Sequence, residues 1–427
     1  MYTTLVEDHV TGLGVGTGGT RRLDYGEDQF NDALKTVLIH EAKKANADLG
    51  KYANEKKSYS LSQIDEKVGE HRLIKKINFS VFGFSRGAAL ARAFTNDVMW
   101  DYEDDNGNLT YGKKGKYPIE FKFLGIFDTV ASFGLPATNL KNNLSYEGRD
   151  MVVDDRVKMC VHHVAANELR FCFPVDLLEK DGKLANSNWK EIVYPGMHSD
   201  VGGGYLPGSQ NVNDNYARIP LKDMLDEAIN AGVRMYSYDE LQNKYKDIFK
   251  EQFEIAPETN RYYESVKGAV QSSSNASVRE QIREYMKLYY SSYSSYGSMD
   301  RKGVESVSQK IRSEDKIRRF VPWGPKDMAT EMKRLQTLKQ GSATYTVISP
   351  VAASYNYAIR MEPWILESWN KDTSEDVVKF YLAYIHDSKY GFMSNVEPFS
   401  YFRQRTIYEP RRSRKGTDVD RERLLKS

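Results

Sequence analysis

The sequence predicts an α/β protein in which helices flank a mostly parallel β-sheet. Short stretches such as "INFSV" alternate apolar and polar residues with the period of a strand, whereas stretches such as "ALKTVLIHEA" repeat apolar residues with the period of a helix. These two patterns alternate along the first 205 residues. Strands that are separated by helices need crossover connections, which produce parallel pairing.

The elements follow one another in a regular order. In chain order the pattern predicts a helix over 28–49, a strand over 75–83, a helix over 87–100, a strand over 120–130, a helix over 155–169, a strand over 188–195 and a helix over 216–233. A late strand-like stretch that ends near residue 408 is expected to return to the sheet. With 427 residues, the chain is long enough for one large domain with an insertion, or for two domains.

The chain becomes helix-rich after residue 205, which predicts a cap or membrane-facing module. Twenty of the 29 tyrosines lie from residue 205 onward. Tyrosine is half apolar and half polar, so this enrichment suits a surface that meets an interface. Ordinary core and loop aromatics are the alternative.

Charge and hydropathy limit the classes of partner. Lys and Arg number 61 against 59 Asp and Glu, and the net charge of +2 argues against nucleic acid as the main partner. No run of 18 apolar residues predicts a transmembrane segment, and the N-terminus lacks the basic-then-apolar pattern of a signal peptide. We therefore expect a protein that is made in the cytoplasm and has at most peripheral membrane contact.

Ser85 lies in "GFSRG", at the junction of a predicted strand and a predicted helix. Gly83 and Gly87 flank it, which matches the Gly-x-Ser-x-Gly nucleophile elbow. The glycines would allow a tight turn and close packing of the helix. The backbone N–H of Arg86 would face a developing oxyanion at the helix N-terminus. The alternative is a serine that only caps the helix.

Two further residues can complete a serine nucleophile. Asp128 directly follows "FKFLGIF", at the carboxyl end of a predicted strand, where it could orient a base. His198 follows another predicted strand in "PGMHSDVGGGY", so the chain order Ser, acid, His is that of α/β-hydrolases. His386 is the rival base. Alternatively, His198 and Asp200 only stabilise a glycine turn, and Asp128 only caps one.

Three motifs in this order resemble one protein family. "VFGFSRGAALARAF", "LGIFDTVASFG" and "YPGMHSDVGGGY" are similar to the α/β-hydrolase domain of type VI secretion phospholipase effectors that have a Gly-x-Ser-x-Gly elbow. "HHVAANELRFCFPV" resembles the family's helix between acid and histidine, although Asn167 stands where an aspartate is usual. "YIHDSKYGF" resembles a late His-Asp-Ser element. The resemblance covers about residues 10–205 and 380–408.

The resemblance implies hydrolysis of acyl esters of membrane glycerophospholipids, with Ser85, Asp128 and His198 as the triad and no metal ion or other cofactor. It further implies an antibacterial effector that type VI secretion delivers to the envelope of a target bacterium. An immunity protein and a spike-type carrier would be its partners. The domains expected are a hydrolase domain over 1–235, a helix-rich cap over 236–375, a return to the hydrolase domain over 376–410 and a charged tail over 411–427.

One feature of the family is missing from this sequence. The family's members begin with an earlier strand and an Asp-Gly-Thr-type turn, which contributes to the oxyanion site, and this chain starts after that turn. We expect the second oxyanion donor to come from elsewhere, such as the loop from Gly12 to Gly19, or the first strand to be missing. Two other functions stay open: a soluble carboxylesterase with the same triad, and a non-catalytic module that binds lipid or a partner.

Overall fold

The structure is a computed structural model. It describes residues 19–55, 59–112, 116–131, 151–270, 276–295, 328–329, 331–333, 335–337, 362–389 and 400–410. The α/β class predicted from the sequence is confirmed, because a mostly parallel sheet lies between helices.

The main sheet has four parallel strands and one short antiparallel strand. The strands are β1 (Ile77–Phe84), β2 (Thr110–Tyr111), β3 (Tyr117–Phe127), β4 (Cys160–Ala165), β5 (Val175–Asp176), β6 (Lys190–Tyr194) and β7 (Ile407–Tyr408). The order in the sheet is β1-β3-β4-β6, and β2 pairs with β3 in the antiparallel sense. Because the four long neighbours are parallel, their carboxyl ends meet at one edge, which we call the carboxyl edge.

The register places the ends of the strands level at the carboxyl edge. Phe84 is paired with Phe127, and Phe127 is paired with His163. The hydrogen bonds continue one residue further, because the N–H of Ser85 donates to the carbonyl of Phe127 (3.0 Å) and the N–H of Asp128 donates to the carbonyl of His163 (2.7 Å). Residues 85 and 128 are therefore held beside each other.

Helices cover the sheet and form most of the described residues after 205. They are α1 (Gly19–Ala45), α2 (Ala47–Glu55), α3 (Leu61–Val68), α4 (Arg86–Asp101), α5 (His198–Gly202), α6 (Arg218–Asn230), α7 (Tyr238–Lys244), α8 (Lys246–Ile248), α9 (Pro257–Ala269), α10 (Val278–Ser295), α11 (Trp364–Trp369) and α12 (Glu375–Ala383). The helix predicted over 28–49 ends at Ala45, because the side chain of Asn46 accepts from Asp48 N–H (2.8 Å) and so starts α2. No helix among the described residues is both long and apolar enough to cross a lipid bilayer.

The two largest buried apolar clusters among the described residues lie on different parts of the fold. One contains residues of α1, α3 and α4 together with β3, such as Leu38, Ile64 and Ile126. The other joins the ends of β4 and β6 to the later helices. Many late tyrosines belong to this second cluster: Tyr262, Tyr263, Tyr285, Tyr289, Tyr290, Tyr293, Tyr381, Tyr384 and Tyr401. The tyrosine enrichment is therefore mainly a property of the core, and the interpretation as an interface surface is wrong for these residues.

Two other predictions are corrected. The stretch predicted as a helix over 155–169 contains the central strand β4, with all six of its residues buried. A strand that is covered on both faces loses the two-residue alternation, so its pattern resembles that of a buried helix. The late strand β7 pairs with β5 in a separate two-stranded sheet rather than with the main sheet.

Candidate active site

Ser85 occupies a strained turn between β1 and α4. Its φ of 59° and ψ of −125° lie in a region that non-glycine residues rarely adopt. Ser85 stands at the N-cap position, yet its side chain makes no capping hydrogen bond. The carbonyl of Ser85 instead accepts from the N–H groups of Ala88 (3.0 Å) and Ala89 (3.3 Å). Ser85 therefore contributes its backbone carbonyl to the start of the helix, and its hydroxyl does not act as a cap.

The two glycines of the elbow have different surroundings. A Cβ on Gly83 would lie 2.4 Å from the carbonyl oxygen of Gly87, because the helix passes directly over the end of the strand. A Cβ on Gly87 would meet no atom within 4 Å. The expectation that both glycines are needed for close packing is therefore supported at Gly83 and wrong at Gly87.

Asp128 follows β3 and is fully buried. Its backbone φ of 41° is in the left-handed region, so this aspartate is also in an uncommon conformation. Its Oδ1 accepts from Ala165 N–H (2.9 Å) and from Arg405 Nη2 (2.6 Å), and its Oδ2 accepts from Arg405 Nη1 (2.7 Å). Burial alone would raise the pKa of this carboxyl, but Arg405 and His198 outweigh burial and hold the pKa well below its usual range.

His198 contacts Asp128 directly. The imidazole Nδ1 lies 2.5 Å from Oδ2 of Asp128, and the ring is 3% exposed. Burial lowers the pKa of His198, and the opposing attraction to Asp128 does not fully offset this effect. The ring lies between two aromatic side chains, with centroid distances of 4.5 Å to Phe84 and 5.0 Å to Phe173. Since Phe84 directly precedes Ser85, the imidazole lies beside the elbow.

Among the described residues, no hydrogen bond joins the Ser85 hydroxyl to the His198 ring. Such bonds are often long in the absence of substrate and shorten in the reacting complex. The structure thus brings the elbow and the His198–Asp128 pair together at the carboxyl edge. Arg86 is the first residue of α4, as the sequence predicts. The proposed oxyanion loop over 12–18 and the charged tail lie outside the described residues.

Three residues that the sequence motifs did not single out as functional hold the pair in place. Arg405 comes from the C-terminal segment and binds both oxygens of Asp128. Glu168 accepts from the N–H of His198 (3.2 Å) and from the guanidinium of Arg170 (2.9 Å). Asn167 accepts from the N–H of Gly196 (2.7 Å) and so fixes the turn before His198. For Glu168 and Asn167 the signal was present, since they lie in a motif shared with the family. Arg405 had no such signal.

His386 and Asp200 form a second buried pair beside the first. His386 Nδ1 lies 2.6 Å from Oδ1 of Asp200, and the ring stacks on Tyr205 with a centroid distance of 3.7 Å. Asp200 also accepts from the N–H of Met197 (2.9 Å), which caps the helix that carries His198. His386 therefore contacts Asp200, whose carboxylate caps α5. The imidazole that contacts Asp128 is that of His198.

This arrangement contains the residue types of a serine hydrolase site: a serine in a strained turn and, beside it, a buried imidazole that contacts a buried carboxylate. It also has the location that ligand sites favour in parallel sheets, outside the carboxyl ends of the strands. The described residues contain no group of three or more His, Cys, Asp and Glu side chains placed to hold a metal ion.

Comparison with known proteins finds a family match over part of the chain. Residues 101–227 match the family described as the catalytic domain of Tle1-like phospholipase effectors of the type VI secretion system. The matched segment contains Asp128 and His198, and Ser85 precedes it. This match confirms the family that the sequence motifs indicate. No curated protein matches the sequence.

Two solved structures resemble the chain. The crystal structure of an uncharacterized protein from Pseudomonas aeruginosa matches with a TM-score of 0.61 and 20% identity, over 94% of this chain and 70% of that one. At this identity the match supports the fold alone. The structure of the Tle1 effector bound to the VgrG spike from the type 6 secretion system has a TM-score of 0.32 and 19% identity, over 53% of this chain and 65% of that one. The chain thus spans slightly less than two thirds of that effector.

Proposed function

We propose that this chain is a Tle1-like type VI secretion phospholipase effector, which hydrolyses acyl esters of membrane glycerophospholipids through Ser85, His198 and Asp128. One observation carries the assignment of residues. The buried His198–Asp128 pair, 2.5 Å apart, lies beside the strained turn at Ser85. The family match supports the class of substrate.

In the proposed mechanism the Ser85 hydroxyl attacks the acyl carbonyl while His198 takes its proton through Nε2. Asp128 holds Nδ1 and stabilises the imidazolium. The backbone N–H of Arg86, at the start of α4, donates to the oxyanion of the tetrahedral intermediate. The imidazolium then gives its proton to the leaving lysolipid oxygen, and water hydrolyses the acyl-enzyme with the same imidazole as base.

The proposal is tested by fatty-acid release from phospholipid vesicles. We expect release by the wild type and a rate at background for Ser85→Ala, with Ser80→Ala in the middle of β1 as the matched control. Loss of activity in His386→Ala but not in His198→Ala would reassign the base to His386. Full activity in Ser85→Ala would refute the assignment of the nucleophile.

A series of esters separates the proposed phospholipase from a soluble carboxylesterase. Short-chain esters are assayed below and above the concentration at which they form micelles. A jump in rate at the micelle threshold supports action at a lipid surface, and its absence favours the esterase. A chain that neither hydrolyses esters nor reacts with a fluorophosphonate is a non-catalytic binding module.

We further propose that the protein is antibacterial, with an immunity protein in the producing cell and a spike-type carrier. The family supports this proposal, since its name assigns its members to type VI secretion. Production in a bacterium with an added secretory signal is expected to slow growth and release lysolipid, whereas Ser85→Ala has no effect. Growth that slows equally in both would contradict a toxic role for the hydrolase.

A further inference from the structure

Arg405 forms a buried two-point ion pair with Asp128. Its Nη1 lies 2.7 Å from Oδ2 and its Nη2 lies 2.6 Å from Oδ1, so the planar guanidinium faces the carboxylate edge to edge. The side chain of Arg405 is 3% exposed and that of Asp128 is fully buried. A fork of this kind fixes the carboxylate plane, which a single hydrogen bond does not.

The segment that carries Arg405 is held by contacts that do not involve Asp128. Tyr290 OH donates to the carbonyl of Tyr401 (3.0 Å), and the N–H of Tyr401 donates to Glu331 (3.0 Å). Beyond Arg405, the carbonyl of Thr406 accepts from the N–H of Val175 (3.0 Å), next to the pairing of β5 with β7. Hydrogen bonds on both sides of Arg405 in the chain thus hold its guanidinium at the site.

Asp128 receives four donors on two oxygens. His198 and Arg405 share Oδ2, while Arg405 and the N–H of Ala165 share Oδ1. A carboxylate whose plane is fixed in this way can meet Nδ1 of the imidazole in only one orientation. The positive charge of Arg405 also offsets the negative charge of the Asp128 carboxylate. Without this cation, the pair formed by Asp128 and His198 would bind a proton more tightly.

We propose that Arg405 is a positioning residue of this site: it fixes the Asp128 carboxylate against the His198 imidazole and offsets its charge, so that the imidazole stays unprotonated and aligned toward Ser85. This inference rests on the proposed function, because it concerns how the same pair works. It adds Arg405, which lies 277 positions after Asp128, to the residues of the candidate active site at the carboxyl edge.

Other charged groups also face the pair. Glu168 and Arg170 approach His198 from the segment after β4, and they act on its protonation in opposite directions. Asp176 of β5 lies near Arg405, and its charge interacts with that of Arg92 on α4. None of these four groups is substituted in the variants of Arg405, so a change in the pH profile follows from the loss of Arg405.

The test compares Arg405→Met, Arg405→Lys and Leu38→Ala on a soluble ester, with kcat and KM measured from pH 4.5 to 9. Arg405→Met is expected to lower kcat about 10- to 100-fold with little change in KM, because the imidazole is misaligned. The acidic limb of its kcat–pH profile is expected to move up by about one pH unit. The reason is that the Asp128–His198 pair binds a proton more tightly without the guanidinium of Arg405. This shift has the same sign whether the proton resides on Asp128 or on His198.

The other two variants separate charge from geometry and from folding. Arg405→Lys keeps the charge but not the fork, so kcat is expected to fall while the acidic limb stays near that of the wild type. Leu38→Ala lowers stability in the buried cluster of α1, α3 and α4 without touching Arg405 or Asp128, so kcat and the acidic limb are both expected to stay. Should Arg405→Met fail to fold, an unchanged kcat in Arg405→Lys overturns the proposal, and a lowered kcat at unchanged KM supports it.

Two results overturn the inference: an acidic limb and kcat of Arg405→Met that equal those of the wild type, or losses of kcat that follow thermal stability across all three variants with no shift of the limb. Ser85→Ala is measured in the same assay. Activity that survives in Ser85→Ala rejects the proposed function itself, whereas an inactive Ser85→Ala beside an unchanged Arg405→Met rejects only the role of Arg405.

Discussion

His198 and Asp128 are 70 residues apart in the chain, yet Nδ1 of the imidazole lies 2.5 Å from Oδ2 of the carboxylate. Both groups are buried, and the carboxylate is kept ionised by Arg405. A buried imidazole with this partner holds one ring nitrogen fixed and leaves the other to exchange a proton.

The pH dependence of kcat/KM is expected to follow the titration of His198. Burial lowers its pKa below the ordinary value of 6.5, and the base form is the active one, so activity rises with pH through a midpoint below 6.5. The measurement is kcat/KM on a soluble ester from pH 4.5 to 9. A midpoint clearly above 6.5 would contradict the effect of burial.

Glycine is expected to be essential at Gly83 but not at Gly87. Alanine at Gly83 would place Cβ 2.4 Å from a carbonyl oxygen, so Gly83→Ala should lower the free energy of unfolding by about 3 kcal/mol or prevent folding. Gly87→Ala enters open space in the first turn of α4 and should be neutral, or stabilising by up to about 1 kcal/mol. Denaturant unfolding of the two variants measures both. Equal destabilisation would show that the elbow packs differently.

Leu206 is expected to contribute to contact with lipid. It is 76% exposed, and the loop that carries it borders the site, since the neighbouring Tyr205 stacks on His386. Leu206→Asp should lower the rate on vesicles about tenfold, because a carboxylate resists burial in the membrane interface, and should leave the rate on a soluble ester unchanged. Val37→Asp, on the exposed face of α1, is the matched control. A loss of rate on both substrates would argue against a specific lipid contact.

Glu168 is expected to make stability depend on pH in the acidic range. Burial would raise its pKa, but the ion pair with Arg170 outweighs burial and lowers it to about 2. The folded-state pKa is below the ordinary 4.5, so this contribution is full above pH 4.5 and is lost as the pH falls toward 2.

The Glu168→Gln variant checks this contribution. We expect it to lower the free energy of unfolding by about 3 kcal/mol at pH 7, because the buried guanidinium of Arg170 loses the charge of the Glu168 carboxylate. The difference from the wild type should shrink as the pH falls from 4.5 toward 2. A difference that stays constant over this range would mean that the ion pair contributes no net stability.

The sequence predicted those parts of the fold whose patterns are local. The strand before Ser85, the helix after it and the strand before Asp128 all follow from apolar periodicity and lie where it places them. The strand β4 was missed because burial on both faces removes the two-residue alternation on which the prediction depends. The sequence also left open whether late tyrosines such as Tyr289 lie on the surface or in the core. Composition does not show which side of a helix packs against the rest of the protein.

The contacts around the site were harder to predict than its motifs. Short motifs that contain glycine indicated Ser85 and His198 in the sequence. They could do so because each turn needs particular residue types at neighbouring positions. Arg405 had no such signal, because its role depends on how the last part of the chain returns across the sheet edge. The pairing of His386 with Asp200 is also a matter of tertiary packing, so the sequence left His386 open as a rival base.

The most direct test of an activated serine is to map a fluorophosphonate adduct by mass spectrometry. The wild type is expected to carry one phosphonyl group on Ser85, and labelling of His198→Ala is expected to be slower by about three orders of magnitude or more, since the hydroxyl loses its base. An adduct on another residue, or labelling of Ser85 at an equal rate in both proteins, would contradict the proposed site.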